Sequence, residues 1–71
     1  KFEIKQHIAC LSEESYGWTK ELNLVSWQGN APKYDIRAWS ADHTRSGKGV
    51  TLTKDELTAL RDVLNEYLDP R

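Results

Sequence analysis

The sequence has one cysteine, no methionine and no apolar run near the roughly 20 residues that a membrane-spanning helix needs. A single cysteine excludes an internal disulfide, so no covalent cross-link supports this chain of 71 residues. An unpaired cysteine also indicates a reducing compartment, and we expect Cys10 to be a small buried apolar residue. No charged segment leads into an apolar one, so we expect no secretory leader and a cytoplasmic protein.

Side chains that could act in catalysis or bind a metal are few, and they are scattered along the sequence. Cys10 and the two histidines do not show the spacing of a zinc site. The Gly-Lys-Gly at 47–49 is too short for a phosphate-binding loop of the P-loop type. Asp35 and Asp42 are not arranged as an obvious carboxylate pair. We therefore expect no enzymatic activity, no metal and no cofactor.

The length allows one domain over residues 1–71, and a core of this size is commonly marginal, which makes self-association a reasonable way to complete the fold. The net charge of −1 by itself predicts no nucleic-acid partner. The charges are segregated, however. Residues 33–48 carry four basic and two acidic side chains, whereas residues 54–71 carry three basic and five acidic ones. This distribution is typical of a basic face with an acidic reverse side.

Apolar and polar residues alternate in several short segments, which predicts half-buried strands at residues 2–11, 18–27, 33–39 and 48–52. Polar segments rich in turn residues separate them, at residues 12–17, 28–32 and 40–47. We expect the four strands to pair in antiparallel order.

A helix is predicted to follow the fourth strand. Thr53 and Glu56 have the spacing of a capping box, with Leu52 and Leu57 placed as a hydrophobic staple. Apolar residues then recur at helical spacing: Leu57, Leu60, Val63, Leu64, Tyr67 and Leu68. Pro70 ends the helix. We expect this stripe to cover the sheet face formed by Ile4, Ile8, Leu22, Leu24, Ile36, Val50 and Leu52.

One helix cannot cover both faces of a four-stranded sheet. We therefore predict an α+β fold whose second face is open and carries aromatic and basic side chains, namely Lys5, His7, Trp27, Lys33, Arg37 and Trp39. Indole rings stack on bases at ~1–3 kcal/mol per base, and the cations pair with phosphates. A single strand exposes both groups, so this face predicts single-stranded nucleic-acid binding. Tryptophans in the core or in a dimer interface remain the alternative.

Lys48 lies between two glycines, which has two interpretations. Glycines allow close approach of a ligand and free the backbone amides for an anion. The segment is equally an ordinary turn into a strand with a solvated lysine.

Three motifs together resemble a known family. The run Tyr-Asp-Ile-Arg-Ala-Trp at 34–39, then Gly-Lys-Gly-Val-Thr-Leu-Thr at 47–53 and a helix with an acidic start, resembles the positive cofactor four family of transcriptional coactivators. Residues 17–27, Gly-Trp-Thr-Lys-Glu-Leu-Asn-Leu-Val-Ser-Trp, are similar to its bacterial, YdbC-like branch. The resemblance implies a homodimer of curved four-stranded sheets whose C-terminal helices pack together. It also implies sequence-independent binding of single-stranded DNA by a nucleoid-associated protein, in transcription regulation, replication or repair.

The resemblance also implies roles for single residues: Arg37 contacts phosphate, Trp39 stacks on a base, Lys48 meets the backbone, Lys20 lies on the binding ridge, and Trp27 is the aromatic residue at the hairpin base. The predicted nucleic-acid-binding residues are Lys5, Trp18, Lys20, Trp27, Lys33, Arg37, Trp39 and Lys48. Strand alternation puts Lys20 and Trp27 on opposite faces, so either a bulge separates them or one lies off the binding face.

Two alternatives stay open. RNA is a close variant of the ligand, since no residue indicates a contact with a 2′-hydroxyl group. A protein-interaction module that docks through its Trp-rich face is the other class.

Overall fold

The computed structural model describes residues 1–69, which form one sheet followed by one helix. The elements are β1 (Phe2–Glu13), a 3₁₀ turn (Ser15–Gly17), β2 (Thr19–Trp27), β3 (Lys33–Trp39), β4 (Ser46–Leu52) and α1 (Lys54–Leu68). The strand order is β1-β2-β3-β4, and each neighbouring pair is antiparallel. The predicted α+β class is confirmed, although β1 ends later and β4 begins earlier than the alternation indicated.

The start of α1 follows the predicted capping box. The Thr53 hydroxyl accepts a hydrogen bond from the Glu56 backbone N–H at 3.1 Å, and the Glu56 carboxylate accepts one from the Thr53 N–H at 2.8 Å. These bonds satisfy two backbone donors that the first turn leaves without helical partners. The predicted stop at Pro70 lies outside the described residues.

Three β-bulges interrupt β1, and they change which side chains share a face. The register against β2 shifts between Ile4 and Gln6, between His7 and Ala9, and between Cys10 and Ser12. Each extra residue reverses the alternation that follows it.

Two predictions for β1 were wrong. Ile4 pairs with Val25 and lines a pocket with His7, so it lies on the face away from α1. Cys10 pairs with the buried Glu21 but is itself exposed, because β1 is an edge strand that little covers.

The two faces of the sheet are distinct. The helix face carries Leu22, Leu24, Tyr34 and Ile36. The opposite face, here called the tryptophan face, carries Glu21, Asn23, Val25, Trp27, Asp35, Arg37 and Trp39. The most completely buried residues, including Val25 and Trp39 at 0 % exposure, all lie on the tryptophan face. Burial is therefore concentrated on the side that we expected to be open.

Helix α1 covers less of the sheet than its apolar stripe predicts. It contacts β3 and β4, and Leu57 and Leu60 are half-buried. Beyond them the stripe is exposed, with Val63 at 62 % and Tyr67 at 79 %. The expectation that the whole stripe covers the sheet was wrong, because an apolar groove lies between α1 and the sheet, lined by residues such as Leu22, Ile36 and Leu64. Within residues 1–69, no helix is long and apolar enough to cross a bilayer.

Candidate nucleic-acid interface

A row of flat side chains crosses the tryptophan face. The rings of Trp27 and Trp39 stack with centroids 6.1 Å apart, and His43 stacks on Trp39 at 5.9 Å. Phe2 packs at a tilt against both tryptophans, at 5.7 and 4.9 Å. These contacts bury Trp39 completely, so the open position that we expected for it is wrong. In this arrangement Trp39 has no free ring face for a base and instead packs against the ring of Trp27.

Asp35 links Trp27, a member of this row, to Arg37. Its carboxylate is fully buried and accepts hydrogen bonds from Arg37 Nε at 2.8 and 3.0 Å and from Trp27 Nε1 at 3.3 Å. The guanidinium carbon of Arg37 lies 4.4 Å from the centroid of the Trp27 ring, which is cation–π geometry. The side chain of Arg37 stays 16 % exposed. Trp27 and Arg37 thus form one pre-organised unit, a cation on an indole, with its geometry set by a buried anion.

Sequence reasoning counted Asp35 only as a negative charge and missed this role. The signal was present, because residues two apart on a strand share a face, and an acid two positions before an arginine can bind it there. An aspartate expected on an open face gave no reason to assign it a buried structural partner.

Gly49 allows β4 to reach Arg37. A Cβ at Gly49 would lie 2.2 Å from the Ile36 carbonyl oxygen and 2.4 Å from the Arg37 Cβ. The carbonyl of Gly47 then accepts a hydrogen bond from Arg37 Nη1 at 3.3 Å. Gly49 therefore serves the close approach of two strands, in place of the approach of a ligand considered from the sequence.

Three further predicted binding residues are lysines of β1, β3 and β4. Lys33 opens β3 opposite Val25, and Lys48 lies at the register shift of β4. Both are exposed and make no ion pair within the part of the chain that the structure describes. Lys5 lies at the first bulge of β1 and pairs with Glu3 at 3.0 Å, where both side chains are exposed. Exposed pairs of this kind are weak, so Lys5 is not held away from a ligand.

Two predicted residues lie apart from the Trp27–Arg37 unit. The β2–β3 register is unbroken from Thr19 to Val25, so Lys20, opposite Ala38, lies on the helix face, where it pairs with Glu14 at 3.9 Å. The bulges are in β1, and none brings Lys20 to the face of Trp27. Trp18 precedes β2 and is half-buried, with the Arg45 guanidinium 5.7 Å from its ring.

A second polar cluster lies beside the aromatic row. The buried Glu21 carboxylate accepts hydrogen bonds from Thr19 Oγ1 at 2.5 Å, Asn23 Nδ2 at 3.0 Å and His43 Nε2 at 2.8 Å. Burial alone would raise the pKa of this carboxyl, but the bonds from Thr19, Asn23 and His43 outweigh it and hold the pKa below its ordinary value of 4.5. His7 lies 3.4 Å from the same carboxylate.

Sequence reasoning placed His7 on this face but missed Glu21, Asn23 and His43. The polar residues at buried positions of a central strand were the available signal. Across residues 1–69, no three histidine, cysteine or acidic side chains are grouped as a metal site.

An antiparallel sheet that presents a stacked indole and guanidinium among free lysines is typical of a protein that binds nucleic acid. A family model described as Transcriptional Coactivator p15 (PC4) matches residues 14–63, and the chain belongs to this DNA-binding family, as the motifs predicted. The chain is also similar to an uncharacterized protein of Treponema pallidum (strain Nichols). The two are 51 % identical over 70 residues, which cover 97 % of this chain and 82 % of that protein.

Proposed function

We propose that this protein binds single-stranded DNA, largely independently of sequence, on the tryptophan face of a homodimer. The observation that carries the proposal is the Trp27–Arg37 unit held by Asp35, in a chain of the p15 (PC4) family. Trp27 is half-buried and offers the exposed part of its indole to a base, and Arg37 offers a fixed cation for the adjacent phosphate. Because both are already ordered, little conformational entropy is lost on binding.

The lysines extend this unit into a path for the backbone. Lys33 and Lys48 are exposed and pair with no carboxylate of residues 1–69, and Lys5 is only weakly paired. A flexible single strand can follow such a path, whereas a duplex keeps its base faces stacked inside. We propose that this activity serves transcription regulation, replication or repair. We also propose that the protein is cytoplasmic and associated with the nucleoid.

The surface area of one chain supports the homodimer. A compact monomer of 8.2 kDa exposes about 4,500 Å² by the usual scaling, and this chain exposes 5448 Å². The excess of about 900 Å² is close to the roughly 800 Å² that each partner buries in a standard interface.

The location of the excess supports the C-terminal helix as the interface. A groove of about 590 Å³ separates α1 from the sheet, lined mainly by apolar side chains such as Leu22, Ile36 and Leu60. It is continuous with the exposed second half of the α1 stripe. A second copy would fill both.

The proposal is tested by titrating the intrinsic tryptophan fluorescence with oligo-dT, a matched duplex and a matched RNA at two salt concentrations. We expect quenching by oligo-dT, weak response to the duplex, and a log–log salt slope of about −0.7 per phosphate neutralised. Comparable binding of the RNA would extend the ligand to both nucleic acids. No response to any of the three would contradict the proposal.

A variant pair separates nucleic-acid binding from docking of a protein on the same face. Arg37→Ala with Lys48→Ala removes two of the predicted binding cations, and we expect at least a tenfold loss of oligo-dT affinity, about 1.4 kcal/mol. Arg61→Ala with Lys54→Ala removes two cations from α1 and should leave affinity unchanged. An equal effect of the two pairs would favour a non-specific charge effect, and no effect of either would favour the protein-interaction module.

A further inference from the structure

A pocket of about 310 Å³ opens on the tryptophan face beside the aromatic row. It is lined by Ile4, His7, Glu21 and His43, which come from β1, β2 and the loop between β3 and β4. The carboxylate of Glu21 forms the charged floor of the pocket. The Glu21 side chain is 6 % exposed, and each of its two carboxylate oxygens accepts a hydrogen bond. The histidines are its accessible walls, at 56 % for His7 and 39 % for His43.

The hydrogen-bond network determines which ring nitrogens carry protons. A carboxylate only accepts, so the Nε2 of His43, at 2.8 Å from Glu21, must be protonated. Asn23 turns its Nδ2 to the same carboxylate, which leaves its Oδ1 to accept from His7 Nδ1 at 2.8 Å. Both histidines therefore donate inward.

Their outer nitrogens, Nε2 of His7 and Nδ1 of His43, make no hydrogen bond within residues 1–69. When the rings are neutral these nitrogens are acceptors. The pocket is lined by one buried negative charge, by the apolar side chain of Ile4 and by two histidine rings whose outer nitrogens can accept, which suits a flat ligand with a hydrogen-bond donor and disfavours an anion.

We propose that this pocket receives a nucleobase through its exocyclic amino group, so that the protein prefers cytosine and adenine to thymine at this position. This inference rests on the proposed single-strand binding and adds a base preference to it. An amino group donates to the outer histidine nitrogens and faces the Glu21 charge favourably, whereas the carbonyl oxygen of thymine would meet acceptors only.

The test compares a 16-mer of alternating dC and dT with a dT 16-mer, in fluorescence titrations at pH 8.0. We expect the mixed strand to bind roughly threefold to tenfold tighter, the effect of one net hydrogen bond.

Two variants locate the effect. His7→Phe with His43→Phe should abolish the preference, with circular dichroism confirming that the sheet is intact. His43→Gln together with His7→Gln keeps an amide donor for the inner partners and an amide oxygen as the outer acceptor. This variant should retain the preference, a result that a structural role alone would not produce.

The outcomes separate the two proposals. If neither strand binds the wild-type protein at low salt, both proposals fail. If both strands bind equally at pH 8.0, or the Phe variant keeps the preference, the pocket is not a base site although single-strand binding stands.

Discussion

Asp35 is the residue on which the geometry of the candidate interface most depends. It is buried at 0 % exposure and touches both residues that we expect to meet the nucleic acid. Removing one partner of a buried ion pair leaves the other charge without compensation, and the cost is several kcal/mol. Stability and binding should therefore change together at this position.

Asp35→Asn is predicted to lower the free energy of unfolding by about 2–3 kcal/mol, since the amide keeps the shape but not the charge. Oligo-dT affinity should fall as well, because Arg37 is no longer fixed over Trp27. Urea denaturation and fluorescence titration measure the two effects. Asp62→Asn, which breaks an exposed pair with Arg61, is the control and should change neither.

Glu21 makes the free energy of unfolding depend on pH in the acid range. Its pKa is below 4.5 in the folded protein, so its contribution to stability is complete above that pH and is lost as the pH falls through the folded value. Glu21→Gln should therefore flatten the loss of stability below pH 4.5, seen as urea midpoints measured from pH 7 to pH 3. Glu66→Gln, on the exposed side of α1, should leave the wild-type slope, and a Glu21→Gln variant as acid-sensitive as wild type would contradict the assignment.

At the scale of elements, the bulged edge strand and the close β3–β4 pair shape the tryptophan face. The bulges of β1 bring Ile4 and His7 to the same face, where strict alternation would separate them. The β3–β4 pair brings the Gly47 carbonyl within reach of Arg37. Both features come from backbone geometry, so substituting a glycine that permits this geometry tests it directly.

Gly49→Ala is predicted to destabilise the protein by about 1–3 kcal/mol or to displace β4, because the new methyl group would overlap the Ile36 carbonyl. Gly47→Ala is a matched control two residues away, where the nearest atom to a Cβ lies at 3.9 Å. Urea denaturation compares the two. Equal stability of both variants would show that β4 can shift without cost.

At the scale of the whole molecule, a single chain leaves too much apolar surface for its size. Val25 and Trp39 are the fully buried apolar side chains of the described residues, and α1 contains none. A core this small is completed more readily by a second copy than by the chain itself.

Leu64→Asp is predicted to weaken the proposed dimer by at least about a hundredfold, since an unpaired charge would enter its interface. Analytical ultracentrifugation measures this as a shift to the monomer, with circular dichroism checking the fold. Ala59→Asp adds the same charge to α1 away from the Leu57–Leu60–Leu64 stripe and should leave the dimer intact. A wild-type chain that sediments as a monomer would overturn the homodimer.

Much of the fold was predictable because its signals are local. The alternation in β2 and β3 and the capping box at Thr53 involve residues within a few positions of one another, and the structure agrees with each. The family motif was likewise readable at 34–39 and 47–53. The association of Trp27 with Arg37 on one face follows from the same alternation.

The sequence by itself therefore determined the strands, the helix start, the family and the placement of Trp27 and Arg37 on one face. Only the tertiary structure decided that Trp39 is buried, that Asp35 joins Trp27 to Arg37, and that His7 and His43 meet at Glu21. Those outcomes depend on bulges in β1 and on how a loop of residues 40–45 closes over the sheet. They join residues up to 36 positions apart, such as His7 and His43, and strand periodicity carries no information about contacts at that distance.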